Sequence, residues 1–297
     1  MGFKANVNTD TGELSDKLVW SDGEWTFIRY EHNGKPYGRI KMYGSLHKHF
    51  EDGFNWSDFD VNALFYSVID VCGRYGINPH LARFYKLEAG VNIKTEFPPS
   101  TLIQNAFSLK GRSQVYHDMN NNRHQPIGKE LTGTDHRSKL YNKSGQLAAV
   151  QPNIQSSNIL RYEDHYSRMR DISSHTGIYT LADLCKYTNL QHLTNEVVNN
   201  SQRLIFLNDK PSCEPFGKTD RTIISNWSNP TRTYQLKLSN PKKYSREMKR
   251  YLQLTTSNTE NLSYQFRAGV KSKANQLLQT DQRMIKAAQI FLSQYQS

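Results

Sequence analysis

Residues Asp135–Leu147 read DHRSKLYNKSGQL, and the alternation within this stretch decides how the chain folds. Ser138, Leu140 and Asn142 alternate with Arg137, Lys139, Tyr141 and Lys143. Successive side chains of a strand point to opposite faces, so the spacing predicts a strand with Arg137, Lys139, Tyr141 and Lys143 on one side. His136 stands just upstream. A tyrosine among cations on a sheet surface suits attack on a phosphate. Its phenol is neutral at pH 7, and nearby positive charge or a metal lowers the cost of ionising it. The same pattern also suits an ordinary amphipathic strand with an exposed basic face.

Around this stretch the pattern alternates between strand and helix. Glu24–Glu31 and Pro36–His47 read as strands joined at Asn33-Gly34, a strong hairpin signal. Val61–Tyr75 has helical periodicity through Leu64, Val68, Val71 and Tyr75, with Asp58 as an N-cap and Gly76-Ile77-Asn78-Pro79 as the stop. Leu81–Lys94 reads as a strand, with Leu87, Ala89, Val91 and Ile93 on one face and Glu88, Gly90 and Asn92 on the other. Pro98-Pro99-Ser100 opens a helix over Thr101–Leu109. Ser113–Met119, Lys129–Leu147 and Ile159–Met169 read as further strands, Asn120–His124 as a turn and Gln151–Asn158 as a loop. Beyond Ile178 the pattern is mostly helical. The order predicts an α+β fold, an antiparallel sheet with helices on one face. The expected division is a first domain over 1–175, with 1–20 loosely attached, and a helical basic domain over 176–297.

Charge is distributed unevenly. The 297 residues carry a net charge of +11, and the segment Asn199–Ser297, with 16 Lys and Arg against 6 Asp and Glu, holds nearly all of the excess. Such asymmetry points to a polyanion, most often nucleic acid. Asn240–Leu254, NPKKYSREMKRYLQL, sets Lys242, Lys243, Arg246, Lys249 and Arg250 largely on one helical side, with Tyr244, Met248, Tyr251 and Leu252 opposite. That is a basic amphipathic helix fit for phosphate contact. Cys72, Cys185 and Cys213 form no CxxC pair, which argues for a reducing compartment and against a cysteine zinc site. No apolar run approaches the ~18 residues of a membrane span, and the N-terminus lacks a signal-peptide core, so the expectation is a cytoplasmic protein without membrane partners.

Two further groups bear on chemistry. His47-Lys48-His49 places imidazoles at i and i+2, which on a strand point the same way and suit two ligands on one cation. Glu88 is the acid on the polar face of its strand. It either pairs with a base such as Arg83 or supplies an oxygen ligand for Mg²⁺ or Mn²⁺. GxxxxGK[ST], HExxH and GxSxG are absent, which argues against P-loop ATP hydrolysis, zincin chemistry and a serine hydrolase.

In order, GRIKMYGSLHKHFEDGFNWSDFDVNAL, RFYKLEAGVNI, HRSKLYNKSGQL and ILRYEDHYSRMRDISSHTGIYTLADL resemble the filamentous-phage gene II/X replication initiators and related plasmid or mobile-element Rep proteins. The resemblance covers roughly residues 36–190. It implies rolling-circle initiation: a tyrosine attacks a phosphodiester at a DNA origin and stays joined to the 5′ end, leaving a 3′-OH as primer. It further implies a divalent cation and a palm-like fold related to HUH endonucleases. Position by position, the nucleophile falls on Tyr141 with Lys143 as partner base. The acid of a second strand falls on Glu88, and an Arg-x-Glu strand on Arg161 and Glu163. His47 and His49 fit a two-histidine ligand pair, with Lys48 where a bulky apolar residue is usual.

The expectation is therefore a tyrosine nicking and joining enzyme. Tyr141 attacks, Lys143 stabilises charge on the phosphate, and Glu88 with His47 or His49 holds Mg²⁺ or Mn²⁺. His136, Arg137 and Lys139 would contact DNA and the basic C-terminal helices would bind origin duplex; the expected partners are an origin duplex or hairpin, single-stranded DNA and a host helicase. A non-catalytic, sequence-specific DNA-binding protein of replication or regulation is the alternative; an RNA-binding module has no RNP-like motif to support it.

Overall fold

The computed structural model describes residues 2–7, 14–32, 35–109, 117–120, 126–132, 136–150, 158–214 and 217–296. Asn33-Gly34, Asp135, most of the Asn-rich turn and nearly all of the loop expected at Gln151–Asn158 lie outside them. The chain divides into two compact units: residues 1–78 with 280–297, and residues 79–279. The boundary expected at 175 falls within the second unit.

The first unit holds β1 (Lys4–Val7), β2 (Leu14–Asp22), β3 (Trp25–His32) and β4 (Lys35–Tyr43), an antiparallel sheet in chain order. Helices α1 (Leu46–Phe50) and α2 (Val61–Tyr75) follow. Asp60, not Asp58, caps α2, accepting from the Ala63 N–H at 2.8 Å, and Gly76 ends it in the left-handed conformation at φ 64°. The buried stripe of α2 runs through Val61, Phe65, Val68, Val71 and Cys72; it keeps Val68 and Val71 of the predicted stripe, while Leu64 and Tyr75 are half-buried. Trp25, Phe27 and Val71 form the core between sheet and helix, with Trp20, Met42 and Tyr75 against it. The C-terminal helix Gln282–Ser293 packs on α2, and Thr280 Oγ1 donates to Asn62 Oδ1 at 2.6 Å.

In the second unit, β5 (Leu87–Lys94) is followed by α3 (Pro99–Asn105), β6 (Ala106–Leu109), β7 (His117–Asn120), β8 (Pro126–Thr132), β9 (His136–Asn142), α4 (Lys143–Val150) and β10 (Ile159–Tyr166). Then come α5 (Met169–Thr176), α6 (Leu181–Leu184), α7 (Tyr187–Gln202) and β11 (Leu204–Phe206). The remaining helices are α8 (Lys218–Trp227), α9 (Pro230–Ser239), α10 (Pro241–Thr255) and α11 (Leu262–Leu277). The main sheet is antiparallel in the order β5-β10-β9-β8-β7, so the α+β class with antiparallel sheets holds. The helix expected over Thr101–Leu109 stops at Asn105, because Ala106–Leu109 pairs with β11 as a separate ribbon. A short apolar run is a weak guide to local structure, and here a partner nearly a hundred residues away sets it.

One face of the main sheet is apolar and packs on helices. Val91, Ile93, Leu131, Leu140, Leu160 and Tyr162 meet Leu102, Val197, Phe266 and Val270 from α3, α7 and α11. Gly269 lets α11 approach closely, since a Cβ there would lie 2.9 Å from Ile93 Cγ2. A second core gathers around Trp227, which stacks on Tyr251 with ring centroids 4.8 Å apart. Tyr251 donates to the Phe206 carbonyl and accepts from the Asp209 N–H at 2.9 Å.

Asp209 is itself buried, accepting from Ser263 Oγ at 2.5 Å. Burial pushes its carboxyl from 3.8 up to about 6, against the opposing effects of Ser263 and Arg267. The folded state thus holds this proton more tightly than the unfolded chain. Its stabilising contribution is full below pH 3.8 and is lost as pH rises towards 6. Asp209→Asn should therefore match the wild type near pH 4 and exceed it by on the order of 2–3 kcal/mol near pH 7. Urea unfolding at both pH values measures this; a pH-independent difference would contradict it.

Candidate active site on the polar face of the main sheet

Alternation and register assemble the candidate site. β10 runs between β5 and β9, and its odd-numbered residues face away from the helices. Three cross-strand rows result. Asn92, Arg161, Tyr141 and Gly128 form one; Gly90, Glu163, Lys139 and Glu130 the next; Glu88, His165, Arg137 and Thr132 the third. Residues remote in sequence therefore stand as nearest neighbours, at the ~5 Å spacing of directly opposed strand residues.

Tyr141 and Glu163 lie at the centre. Tyr141 Oη donates to Glu163 Oε1 at 3.1 Å, and Arg161 Nε lies 2.5 Å from that same oxygen. Glu163 and Tyr141 are both buried, the ring at 6% exposure. Burial pushes the Tyr141 phenol well above the ordinary tyrosine value; Glu163 and Glu88 add to the rise, while Arg161 opposes it. The phenol therefore holds its proton at neutral pH and is a hydrogen-bond donor.

A charged network flanks this centre. Arg137 donates from Nη2 to His165 Nδ1 at 2.6 Å and pairs through Nη1 with Glu130 Oε1 at 3.3 Å. Lys139 Nζ reaches across β10 to Glu88 Oε1 at 3.5 Å, over a row in which Gly90 has no side chain. Burial holds the His165 imidazole below its usual range; Arg137, Lys139 and Lys86 reinforce this, and Glu88 pulls the other way. His165 is thus neutral near pH 7, with Nδ1 as the acceptor. Glu88 Oε1 lies 3.4 Å from that nitrogen, with Lys139 Nζ 3.5 Å from the same oxygen.

No protein-family model, no curated protein and no solved structure matches the chain.

The structure distributes the sequence-predicted residues as follows. Tyr141, Arg137, Lys139 and Glu88 share the polar face. Glu88 meets Lys139 and His165, not the Arg83 suggested by the sequence, and is half exposed. Lys143 is not on the strand: it opens α4, is buried, and donates from Nζ to Gln146 Oε1 at 2.8 Å. His136 faces the other side. Its Nε2 meets Asp164 Oδ1 at 2.9 Å, and Ser138 and Tyr162 also donate to that buried carboxylate.

His47 and His49 belong to the first unit, and the strand geometry expected for them is replaced by α1. Ser45 caps this helix through Lys48 N, and residues two apart on a helix point about 200° apart around its axis. His47 stacks on Phe59 and meets Glu51 at 3.4 Å. His49 meets Asp70 at 2.8 Å and accepts at Nδ1 from Trp25. The two imidazoles therefore do not act as a common ligand pair. On α10, Lys242, Lys243, Arg246 and Lys249 are exposed, whereas Arg250 makes a two-pronged pair with Asp220 at 2.7 and 2.9 Å.

Sequence reasoning missed His165. Its neighbours Asp164 and Tyr166 are also polar or aromatic, so alternation alone does not single it out. Among the described residues no group of three or more His, Cys, Asp or Glu is arranged as a metal cage. His165 has its Nδ1 lone pair taken by Arg137, so of the two only Glu88, a half-exposed carboxylate, keeps oxygen lone pairs of the kind that fit Mg²⁺ or Mn²⁺.

Gly128 tests how tightly the centre is built. A Cβ at Gly128 would meet Tyr141 Cβ at 2.4 Å and the Leu140 carbonyl at 2.5 Å. Gly128→Ala should lower unfolding free energy by about 1–3 kcal/mol, since backbone and a buried ring must both shift. A urea midpoint unchanged from wild type would show that β8 has room there.

Proposed function

We propose that the chain nicks and rejoins DNA through Tyr141, as an initiator of rolling-circle replication built on a palm-like, HUH-related sheet. The observation that carries this reading is the Tyr141–Glu163–Arg161 centre, set on a sheet face with Arg137 and Lys139. Its geometry supplies the parts that phosphodiester attack needs. Glu163 already accepts the phenol hydrogen bond and takes the proton as the oxygen–phosphorus bond forms. Arg161 pairs with the same Glu163 oxygen and orients that carboxylate towards the phenol. In this reading Lys139 and Arg137 balance charge on the phosphate oxygens as the 3′ oxygen leaves. Glu88, the half-exposed carboxylate of this face, would supply an oxygen ligand to Mg²⁺ or Mn²⁺, which when bound polarises a phosphoryl oxygen. Lys143 acts at one remove, fixing the start of α4 beside the strand that bears Tyr141.

Four exposed cations on α10 supply a sequence-independent hold on the DNA backbone. A cytoplasmic setting and recruitment of a host helicase belong to the same reading. Among the described residues no helix is long and apolar enough to cross a membrane.

The burial of Tyr141 and its raised pKa favour a second reading, a non-catalytic origin-binding protein in which this centre only holds β9 to β10. One experiment separates the two. Purified protein is incubated with supercoiled plasmid and labelled single-stranded DNA, with and without Mn²⁺, and resolved on denaturing gels. The nicking reading expects a covalent adduct from wild type, none from Tyr141→Phe with binding retained, and adduct formation slowed about 10²–10⁴-fold in Glu163→Gln. An adduct from Tyr141→Phe removes that residue from the role. Salt-sensitive binding with no nick or adduct from wild type establishes the second reading instead.

A further inference from the structure

The sheet of the first unit has one face on its core and one face open. Trp20, Phe27 and Met42 alternate onto the packed face. The opposite face carries Lys4, Lys17, Tyr30, Tyr37, Lys41 and Tyr43. Register places them in order: Lys17, Tyr30 and Tyr37 across one row, Lys4 and Lys41 in a middle row with Val19 and Ile28 between them, and Tyr43 beside Thr26 in a third. Tyr37 is 71% exposed and Tyr43 48% exposed, and Lys4 and Lys17 are exposed as well. Lys41 Nζ lies 5.4 Å from the Tyr30 ring centroid.

Two features set this face apart from an ordinary wet sheet surface. Its charges are of one sign: Asp16, Asp22 and Glu31 all alternate to the other side, and none of the described residues on the rows of the open face is an acid. Its most exposed apolar side chains are the rings of Tyr37 and Tyr43, set among the lysines around half-buried Val19 and Ile28. Flat rings spaced among cations are what a chain of bases on a phosphate backbone requires: each base stacks, each phosphate finds a positive charge. The outer tyrosine rows are about 14 Å apart along the strand direction, with Lys41 between them. A duplex would hide its base faces from such a surface. A folded protein partner would need acids to match three lysines as well as apolar groups to cover the tyrosines, whereas a single strand meets both demands with one repeating unit.

We propose that this open face is a stacking platform for single-stranded DNA. The choice of DNA over RNA rests on the function proposed above; the platform itself does not depend on nicking.

The test uses the full chain carrying Tyr141→Phe, in EDTA, with a fluorescein-labelled oligothymidylate read by anisotropy across a salt series. Tyr37→Ala and Tyr43→Ala should each weaken binding about 5- to 100-fold, with Tyr43→Phe close to wild type. Lys41→Ala and Lys17→Ala should each reduce the log–log salt slope by about 0.7, the signature of one lost phosphate contact. Both tyrosines are exposed, so folding is expected to survive, and circular dichroism checks it. Unchanged affinity in the Tyr37→Ala, Tyr43→Ala double variant overturns the platform. Tighter binding of oligouridylate overturns the choice of DNA. Platform binding together with no adduct from the wild-type chain under nicking conditions sinks the nicking reading alone, and wild-type nicking with an unaffected double variant sinks the platform alone.

Discussion

The antiparallel register of β9 on β10 is the constraint on which the candidate site depends. Side chains alternate with a period of two, so a slip of one residue would turn Tyr141 towards the helices and Leu140 to the outside. The register is pinned on the inner face by burial of Leu140, Leu160 and Tyr162 and by the Asp164 carboxylate, which gathers His136, Ser138, Tyr162 and Asn200. The outer face then has no freedom of its own. Arg161 stands opposite Tyr141 because Tyr162 stands opposite Leu140. Packing on one side of the sheet fixes chemistry on the other.

This division of labour also explains what was legible in the sequence. Alternation along DHRSKLYN and along LEAGVNI assigned Arg137, Lys139, Tyr141 and Glu88 to polar faces, and the strands bear that out. It stopped short at Lys143, where α4 begins. Tyr141 was placed on the right face but its burial was not foreseen, because local pattern does not report what the neighbouring strands and α4 cover. The pairing of Glu88 with His165 depends on β5 lying beside β10, a long-range fact that spacing within either strand does not contain.

Elsewhere the misses have definite causes. The histidine pair was read on a strand, yet Ser45 offers a helix cap three residues before Lys48, and one short helix is enough to point the rings apart. The stretch after Pro99 was read as all helix, yet β11 recruits its second half into a ribbon. The basic helix was legible throughout: Tyr244 and Tyr251 are buried around Trp227 while the lysines stay outside. Arg250 is diverted by an acid thirty residues earlier in the chain, and Lys243 Nζ lies 3.8 Å from Glu247 one turn on.

The first unit is assembled from segments at opposite ends of the numbering, residues 1–78 and 280–297, with the helix Gln282–Ser293 resting on α2. A ribosome delivers these pieces in sequence, at about 5–20 residues per second. The early hairpins and α2 therefore wait at least ten seconds or so before the helix that seals them emerges, while the whole of the second unit is made in between. Closing so long an intervening stretch carries an entropic cost that grows only slowly with its length, and less still if that stretch has already folded. Synthesis order thus makes the second unit, bearing Tyr141, the natural first folder, and leaves the hairpin unit as the step that a nascent-chain chaperone has most time to meet.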